Sequence, residues 1–236
     1  MQRLRIRYAK RGRLRFTSHR DFSRAFERAV FRARVPMAYS SGFNPHPRIS
    51  YAGAAPTGSA SEAEYVEIAL AEVVDPAAVH ATLSEALPDG LDVVEVVVSA
   101  GGSLAEQLQA SLWRLTLDGV AAETAGPAVA ALLDTPEVHV ERMTKKGLRR
   151  FDARAAVLSA EVRGDDPGRP GCAILDVVLR HGTPSVRPDD VLAALSQSSG
   201  LDVTAALQQR LAQGPLDEAD GTVGDPLVPD RDAAPG

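Results

Sequence analysis

Two histidines and one aspartate are the residues whose types and positions best suit chemistry. His19 and Asp21 lie two residues apart in the segment RFTSHRD, and His46 lies between two prolines in SSGFNPHPRIS. Imidazole and carboxylate groups are the usual general acids and bases of enzymes, and histidine changes its charge near neutral pH. We therefore name His19, Asp21 and His46 as candidate catalytic residues.

The sequence shows no established metal or cofactor motif. Glu62 and Glu64 can in principle join His19, Asp21 and His46 around an ion, but the H-x-x-x-H and H-E-x-x-H spacings are absent. The phosphate-binding glycine motifs and G-x-S-x-G are absent as well. A single cysteine cannot supply the thiolates of an iron–sulfur cluster. We therefore predict no bound metal and no cofactor.

The segment around His46 is predicted to be a stiff loop between two strands, PMAYS and RISYA. Glycine permits a positive φ, proline fixes its own φ, and a residue before proline is restricted to extended conformations. Such loops carry functional residues more often than strands do. The residues that we expect to shape it are Ser41, Gly42, Asn44, Pro45 and Pro47. Phe43 is either a hydrophobic anchor or a base-stacking ring.

Positive charge is concentrated at the start of the chain. Residues 1–50 contain twelve arginines and one lysine against Asp21 and Glu27, although the whole chain has a net charge of −5. This asymmetry indicates an anionic partner, with a merely solvated basic face as the alternative. The side chains that we expect to contact nucleic acid here are Arg13, Arg15, Arg20, Arg24, Arg28, Phe43 and Arg48.

A second basic cluster, RMTKKGLRRFDAR, lies in the otherwise acidic second half of the chain. A turn at its glycine would place paired cations on both sides, an arrangement suited to a phosphate backbone. Charged hairpin tips are also common without any ligand. The candidate RNA-binding residues of this cluster are Lys145, Lys146, Arg149 and Arg150, and Asp152 and Arg154 form a short Asp-x-Arg motif.

The elements that must position these residues can be predicted from periodicity. Alternating apolar and arginine residues predict a half-buried strand at RLRIRYA, followed by a tight hairpin or a bulged continuation. Ser18 and Asp21 resemble a helix cap, and the apolar residues that follow recur at i, i+3, i+4 and i+7 with an arginine every four residues on the far side. The helix start can alternatively hold a phosphate on Ser18, His19 and Arg20.

The order of predicted elements is β-α-β-β-α-β over residues 1–99, which is the ferredoxin-like arrangement. We predict an α+β protein with a basic ferredoxin-like domain over 1–100 and a second β-rich α+β domain over 101–212. Residues 213–236 are acidic and rich in proline and glycine, so we predict a disordered tail. No signal peptide and no membrane-spanning run is visible, and we expect a cytoplasmic protein without membrane contact.

The stretch from Lys10 to Ala52, followed by SEAEYVEI, resembles the radical SAM-linked protein family. This is a bacterial family of unknown function, found alone or fused behind a cobalamin-type radical SAM enzyme. The resemblance is dense from Leu4 to about Ile68 and looser to about residue 200, and it departs from the expected pattern at Arg20 and Ala153. It implies a radical SAM enzyme as partner and suggests RNA modification.

Three functions remain open at this point. The chain is an RNA-binding module that recognises structured RNA for the partner enzyme, or an enzyme that acts on a phosphorylated or nucleic-acid substrate through the two histidines. The third is a scaffold that binds only the partner protein. The low aromatic content of 5% argues against stacking of many bases.

Overall fold

The computed structural model describes residues 1–144, 147–203 and 206–233, and it is an α+β structure as predicted. The chain forms two compact units. Unit 1 comprises Met1–Leu108 and the segment that begins at Asp225, and unit 2 comprises Gln109–Gly224. None of the helices within the described ranges is long and apolar enough to cross a membrane.

Unit 1 has the predicted ferredoxin-like order of elements. They are β1 (Gln2–Lys10), α1 (His19–Arg32), β2 (Ile49–Ala52), β3 (Ala60–Leu70), α2 (Pro76–Ala86) and β4 (Leu91–Val98), followed by the short α3 (Leu104–Gln107) and, after the chain returns, α6 (Val228–Asp232). The strands are antiparallel in the order β4-β1-β3-β2. This order places the first strand at the centre of the sheet of unit 1.

The core of unit 1 lies between α1, α2 and one face of this sheet. Leu4, Ile6 and Ile68 on the strands pack in one cluster with Phe22 and Phe26 of α1. The helix begins where the sequence predicts, because the hydroxyl of Ser18 accepts the backbone N–H of Asp21 at 3.2 Å. Burial of the apolar stripe leaves the arginines of α1 on the outer side of the helix.

The opposite face of the sheet is covered by the chain itself. Tyr65 and Ala63 of β3 pack against Leu104, Leu108 and Leu227. Arg5 projects to this face and is fully buried. Alternation along β1 predicts a solvated arginine row, so the burial of Arg5 is a departure from the prediction. Asp230 of the returning segment and Glu67 of β3 compensate its charge.

The segment after β1 differs from the predicted hairpin. Residues Gly12–Phe16 form a short 3₁₀ helix, with Gly12 at a φ of 53°. Before β2, the expected strand PMAYS is reduced to isolated bridges from Met37 to Leu70 and from Tyr39 to Pro47. Alternation of apolar residues over so few positions does not distinguish these conformations from a strand.

Unit 2 repeats the topology of unit 1 with an inserted hairpin. Its elements are β5 (Ala110–Leu117), α4 (Ala122–Asp134), β6 (His139–Thr144), β7 (Gly147–Asp152), β8 (Val157–Asp166), β9 (Arg169–Arg180), α5 (Pro188–Ser199) and β10 (Ala206–Gly214). The main strands are antiparallel in the order β10-β5-β9-β8, and β6 pairs only with β7. A β-rich α+β unit was predicted, but β10 was not.

The predicted disordered tail is wrong for the part of residues 213–236 that the structure describes, which ends at 233. Leu216 bridges to Val223, Leu227 is fully buried, and Asp230 in α6 is buried as well. An acidic, proline-rich composition predicts disorder when no surface is available to bury it. Here unit 1 supplies that surface, because Leu227 packs with Tyr65 and Leu104 and Asp230 pairs with the buried Arg5. Unit 1 is therefore not contiguous in sequence.

Candidate functional site

The outer side of α1 carries three exposed arginines in a row, Arg20, Arg24 and Arg28, which we call the arginine face. They recur every four residues, so the steps between them are about 6 Å along the helix axis. In the part of the chain that the structure describes, no carboxylate forms an ion pair with any of the three. The arginine face is therefore a row of uncompensated positive charge.

Several other arginines of the protein are paired with acids. In unit 1, Arg5 and Arg3 contact Glu67, and Arg11 contacts Glu62 and Asp92. These hydrogen bonds to Glu62 are the largest reason that the pKa of Arg11 is raised above its usual value. The arginines of unit 2 that are paired with a carboxylate are Arg114, Arg142, Arg163, Arg169 and Arg180. Exposed arginines elsewhere, such as Arg34 and Arg150, also lack an ion pair among the described residues, so what distinguishes the arginine face is its regular spacing along one helix.

The N-terminus of α1 is occupied by its own cap. The hydroxyl of Ser18 donates to the carboxylate of Asp21 at 2.7 Å and accepts the N–H of that residue. The carboxylate therefore stands where we considered a phosphate, and it compensates the helix dipole. Asp21 is accounted for by capping, and the exposed Arg20 beside it belongs to the arginine face.

His19 packs beside a buried aromatic cluster. Its ring meets that of Tyr51 edge to face with centroids 5.1 Å apart, and its Nδ1 lies 3.1 Å from the hydroxyl of Ser23. Burial raises the pKa of Tyr51 to about 12, so this phenol stays protonated and does not act as a base near neutral pH. The exposed side of His19 remains open to solvent.

The loop that contains His46 is closed at its base and projects at its tip. Ser40 donates its N–H to the carbonyl of His46 at 2.9 Å, and its hydroxyl accepts the N–H of His46 at 3.1 Å. Gly42 adopts a φ of 136°, a conformation that strongly favours glycine. The predicted loop residues Ser41, Gly42, Asn44 and Pro45 are exposed, whereas Pro47 is half-buried.

Phe43 stands at the tip of this loop and is fully exposed. This exposure contradicts a hydrophobic anchor within the described chain, and the base-stacking ring stays a prediction. Arg48, just after the loop, is exposed, and its Nη1 lies 3.8 Å from the sulfur of Met1. The loop therefore presents an aromatic ring and a cation outward.

The three candidate catalytic residues are not joined. No hydrogen bond or ring contact of the described residues connects His46 with His19 or Asp21. Within the same described ranges, no three His, Cys, Asp or Glu side chains come close enough together to hold a metal ion. Glu62 is engaged with Arg11, and Glu64 is buried and accepts the N–H of Ala55 at 3.1 Å.

Two further predicted RNA-binding residues lie in the 3₁₀ helix before α1. Arg13 is exposed. Arg15 is half-buried, and its guanidinium lies 4.7 Å from the centroid of the Phe16 ring. Arg13 is therefore accessible to a ligand, while Arg15 is partly used within the fold.

The residues of the second basic cluster lie on and after the hairpin of β6 and β7, in different surroundings. Arg149 and Arg150 are exposed, whereas Lys145 and Lys146 lie outside the described residues. Arg142 is held by Asp190 and by the carbonyl of Ser185. Burial is the largest influence on Asp190 and raises its pKa.

The Asp-x-Arg motif is structural. Oδ1 of Asp152 accepts the N–H groups of Val138 and Arg154, each at 2.9 Å. The guanidinium of Arg154 donates to the carbonyls of Val157 and Leu133 at 2.9 and 3.1 Å. These bonds tie the end of α4 to the start of β8, so both residues stabilise unit 2.

Replacing Arg154 by methionine is expected to destabilise unit 2 by about 1–3 kcal/mol, because two partly buried carbonyls lose their donors. Urea unfolding followed by the fluorescence of Trp113, the single tryptophan of the chain, measures this loss. Arg150→Met on exposed β7 is the matched control and should change stability by less than about 0.5 kcal/mol. Normal stability together with weakened RNA binding would show instead that Arg154 contacts the ligand.

Sequence reasoning missed a groove at the C-terminal end of α1. It has a volume of about 500 Å³ and is lined by Glu27, Val30, Phe31, Arg32, Arg34, Val35, Met37, Tyr39 and Pro47. Phe31 and Tyr39 are exposed by 82% and 54%. The sequence contains one indication of this groove, because Phe31 lies three residues after Arg28 and therefore shares its side of the helix. We call this feature the aromatic groove.

Comparison with known proteins identifies a family but no activity. The profile of a family described as "Uncharacterized protein conserved in bacteria (DUF2344)" matches residues 3–188. The matched range includes the arginine face, the loop around His46 and the Asp-x-Arg motif. No curated protein matches the chain.

Proposed function

We propose that this chain, which belongs to the bacterial DUF2344 family, is an RNA-binding module that recognises structured RNA for a partner enzyme. The observation that carries the proposal is the arginine face, whose exposed guanidinium groups have no carboxylate partner among the described residues. Guanidinium groups suit phosphate oxygens because their planar donors can form two parallel hydrogen bonds.

The geometry favours a polymeric anion over a small phosphorylated substrate. The three guanidinium groups lie along one side of a helix, so they span about 12 Å from first to last. A small substrate would require donors that converge on one point, usually in a concave pocket. A phosphate backbone is an extended row of charges and matches an extended row of cations.

The proposed partner comes from the resemblance of the opening residues to radical SAM-linked proteins. With one cysteine, Cys172, the chain has too few thiolates to bind an iron–sulfur cluster by itself. We therefore assign the radical chemistry to the partner, the recognition of RNA to this chain, and the cytoplasm as its location. The enzyme alternative, with His19, Asp21 and His46 as acid–base residues, is a separate hypothesis: no hydrogen bond or ring contact of the described residues joins His46 to the other two.

The test is binding of the purified chain to bulk transfer RNA and ribosomal RNA across a salt series. We expect the logarithm of the association constant to fall linearly with the logarithm of the salt concentration. The slope should be about −2 or steeper, because each of three neutralised phosphates contributes about −0.7 to −0.9 to it. Fluorescence anisotropy with labelled RNA measures this slope. Absence of RNA binding at low salt would overturn the proposal and favour a scaffold that binds only protein.

A further inference from the structure

We infer that the aromatic groove binds an unpaired nucleotide of the RNA, with its base against Phe31 and Tyr39 and its phosphate at Arg34. This inference rests on the proposed function and specifies the kind of RNA that is recognised. The groove lies at the end of α1, one turn after Arg28, so a strand that follows the arginine face reaches its mouth.

The exposed rings are the first observation. The apolar stripe of α1 is complete without Phe31, since Phe22, Phe26, Ala29 and Val30 already fill the core. A phenylalanine that is 82% exposed keeps its ring in water, which is unfavourable unless a ligand covers it. Tyr39 borders the same groove, whose apolar lining includes Val30, Val35 and Met37. Bases stack on aromatic rings of this kind whatever their sequence.

The backbone of Arg34 is the second observation. Arg34 has a φ of 54° and is the only residue other than glycine with a positive φ in the described part of the chain. It follows the end of α1, where its N–H donates to the carbonyl of Phe31 at 3.1 Å and that of Val35 donates to Val30 at 3.2 Å. Glycine is the residue usually found at this position of a helix end, because a side chain is strained there.

The side chain of Arg34 is exposed, and its guanidinium forms no hydrogen bond or ion pair with the described residues. An arginine in a strained conformation whose guanidinium has no such partner adds no polar interaction to the stability of the fold that glycine would lack. Residues held in such conformations are concentrated at functional sites. Its charge at the rim of the groove is explained by a ligand that carries a negative charge.

The charges and shape together favour an unpaired nucleotide. Arg32 and Arg34 line the groove with one acid, Glu27, so an anion is favoured there. Arg32 also donates to the carbonyl of Ala86 at 3.2 Å, which leaves Arg34 as the freer cation. Stacking requires a base that is not inside a duplex, as is usual in the specific recognition of RNA. The bridge from Tyr39 to Pro47 connects the groove to the loop that presents Phe43, a second ring for a neighbouring base.

The experiment compares two RNA probes on the full-length chain, a short single-stranded RNA and the same sequence annealed to its complement. Phe31→Ala should weaken binding of the single strand roughly 5- to 100-fold, the range of one base stack, and leave duplex binding unchanged. Phe31→Leu is the matched variant, because it keeps an apolar side chain but removes the aromatic face. It should behave like Phe31→Ala.

The variant Arg34→Gly tests whether the side chain of Arg34 contributes to RNA affinity without contributing to stability. We expect its melting temperature to be equal to or above that of the wild type, because glycine adopts a positive φ without strain, while single-strand affinity falls roughly fivefold. Arg34→Lys should recover part of the affinity.

Suppose that the wild type binds RNA and that Phe31→Ala and Arg34→Gly both bind the single strand equally well. The inference about the aromatic groove then fails, while the proposed function survives. The inference also fails if Phe31→Leu binds the single strand like the wild type, since an apolar side chain would then suffice and no base would stack on an aromatic ring. If the wild type binds no RNA at all, both proposals fail.

Discussion

Replacement of Asp230 by alanine is expected to lower the free energy of unfolding of unit 1 by about 3–5 kcal/mol, the usual result of removing one partner of a buried ion pair. Nη1 of Arg5 lies 3.0 Å from both carboxylate oxygens of Asp230, and both side chains are fully buried. The same carboxylate accepts the N–H of Ala100 at 2.8 Å. Alanine would leave the guanidinium without its bidentate partner.

The effect is large because Arg5 cannot move to water without disrupting the unit. Its second terminal nitrogen donates to the carbonyls of Gly101 and Gly102 at 2.7 and 2.9 Å, and its Nε lies 3.0 Å from Glu67. The side chain therefore fastens the sheet, the segment after β4 and the returning C-terminal segment together. Detachment of that last segment is the first unfolding step that we expect in Asp230→Ala.

The measurement can resolve the two units, because all four tyrosines are in unit 1 and the single tryptophan is in unit 2. Urea unfolding followed by the tyrosine signal in near-ultraviolet circular dichroism should shift to lower urea, and the tryptophan fluorescence should shift less. Asp232→Ala, an exposed position in the same helix, is the control and should change stability by less than about 0.5 kcal/mol.

A second variant distinguishes charge from packing. The double replacement Arg5→Met with Asp230→Leu removes both charges and keeps apolar volume, so it should recover part of the stability that Asp230→Ala loses, although the carbonyls of Gly101 and Gly102 lose their donor. A loss of less than about 1 kcal/mol in Asp230→Ala would contradict the prediction, because a value in this range is typical of an exposed ion pair.

Simultaneous replacement of Arg20, Arg24 and Arg28 by alanine is expected to lower RNA affinity on the order of 100-fold at low salt. Each exposed ion contact contributes roughly fivefold, and the three act on separate phosphates. The log–log slope of affinity against salt should become shallower by about 2 for single-stranded RNA. Stability should change little, because the three side chains are exposed and the helix retains its cap and its buried stripe.

The control removes the same charge from elsewhere. Arg163 and Arg169 are exposed and Arg180 is half-buried; all three arginines of unit 2 are paired with carboxylates, and their triple alanine variant loses the same number of charges. If RNA binding depends on the arginine face, this control should retain most of the affinity and the salt slope. Equal losses in both variants would show that only net charge matters, and the arginine face would no longer explain binding.

The sequence by itself determined the features of this protein that depend on local pattern. The 3.6-residue period of α1, the Ser18 cap and the alternation along β1 follow from residues close together in the chain. The order of elements predicted the ferredoxin-like unit, and the prolines and glycine around His46 predicted a projecting loop. These predictions succeed because backbone preferences and burial of one face act over a few residues.

Only the tertiary structure decided which charged residues are available to a ligand. Arg5 and Arg7 look alike in the alternation of β1, yet Arg5 is buried against Asp230, which lies 225 residues away in the sequence. Arg154 appeared to belong to a basic cluster, but it binds backbone carbonyls inside unit 2. The physical reason is that the partners of an arginine are brought to it by the fold from distant parts of the sequence. The pattern of neighbouring residues carries no information about such partners.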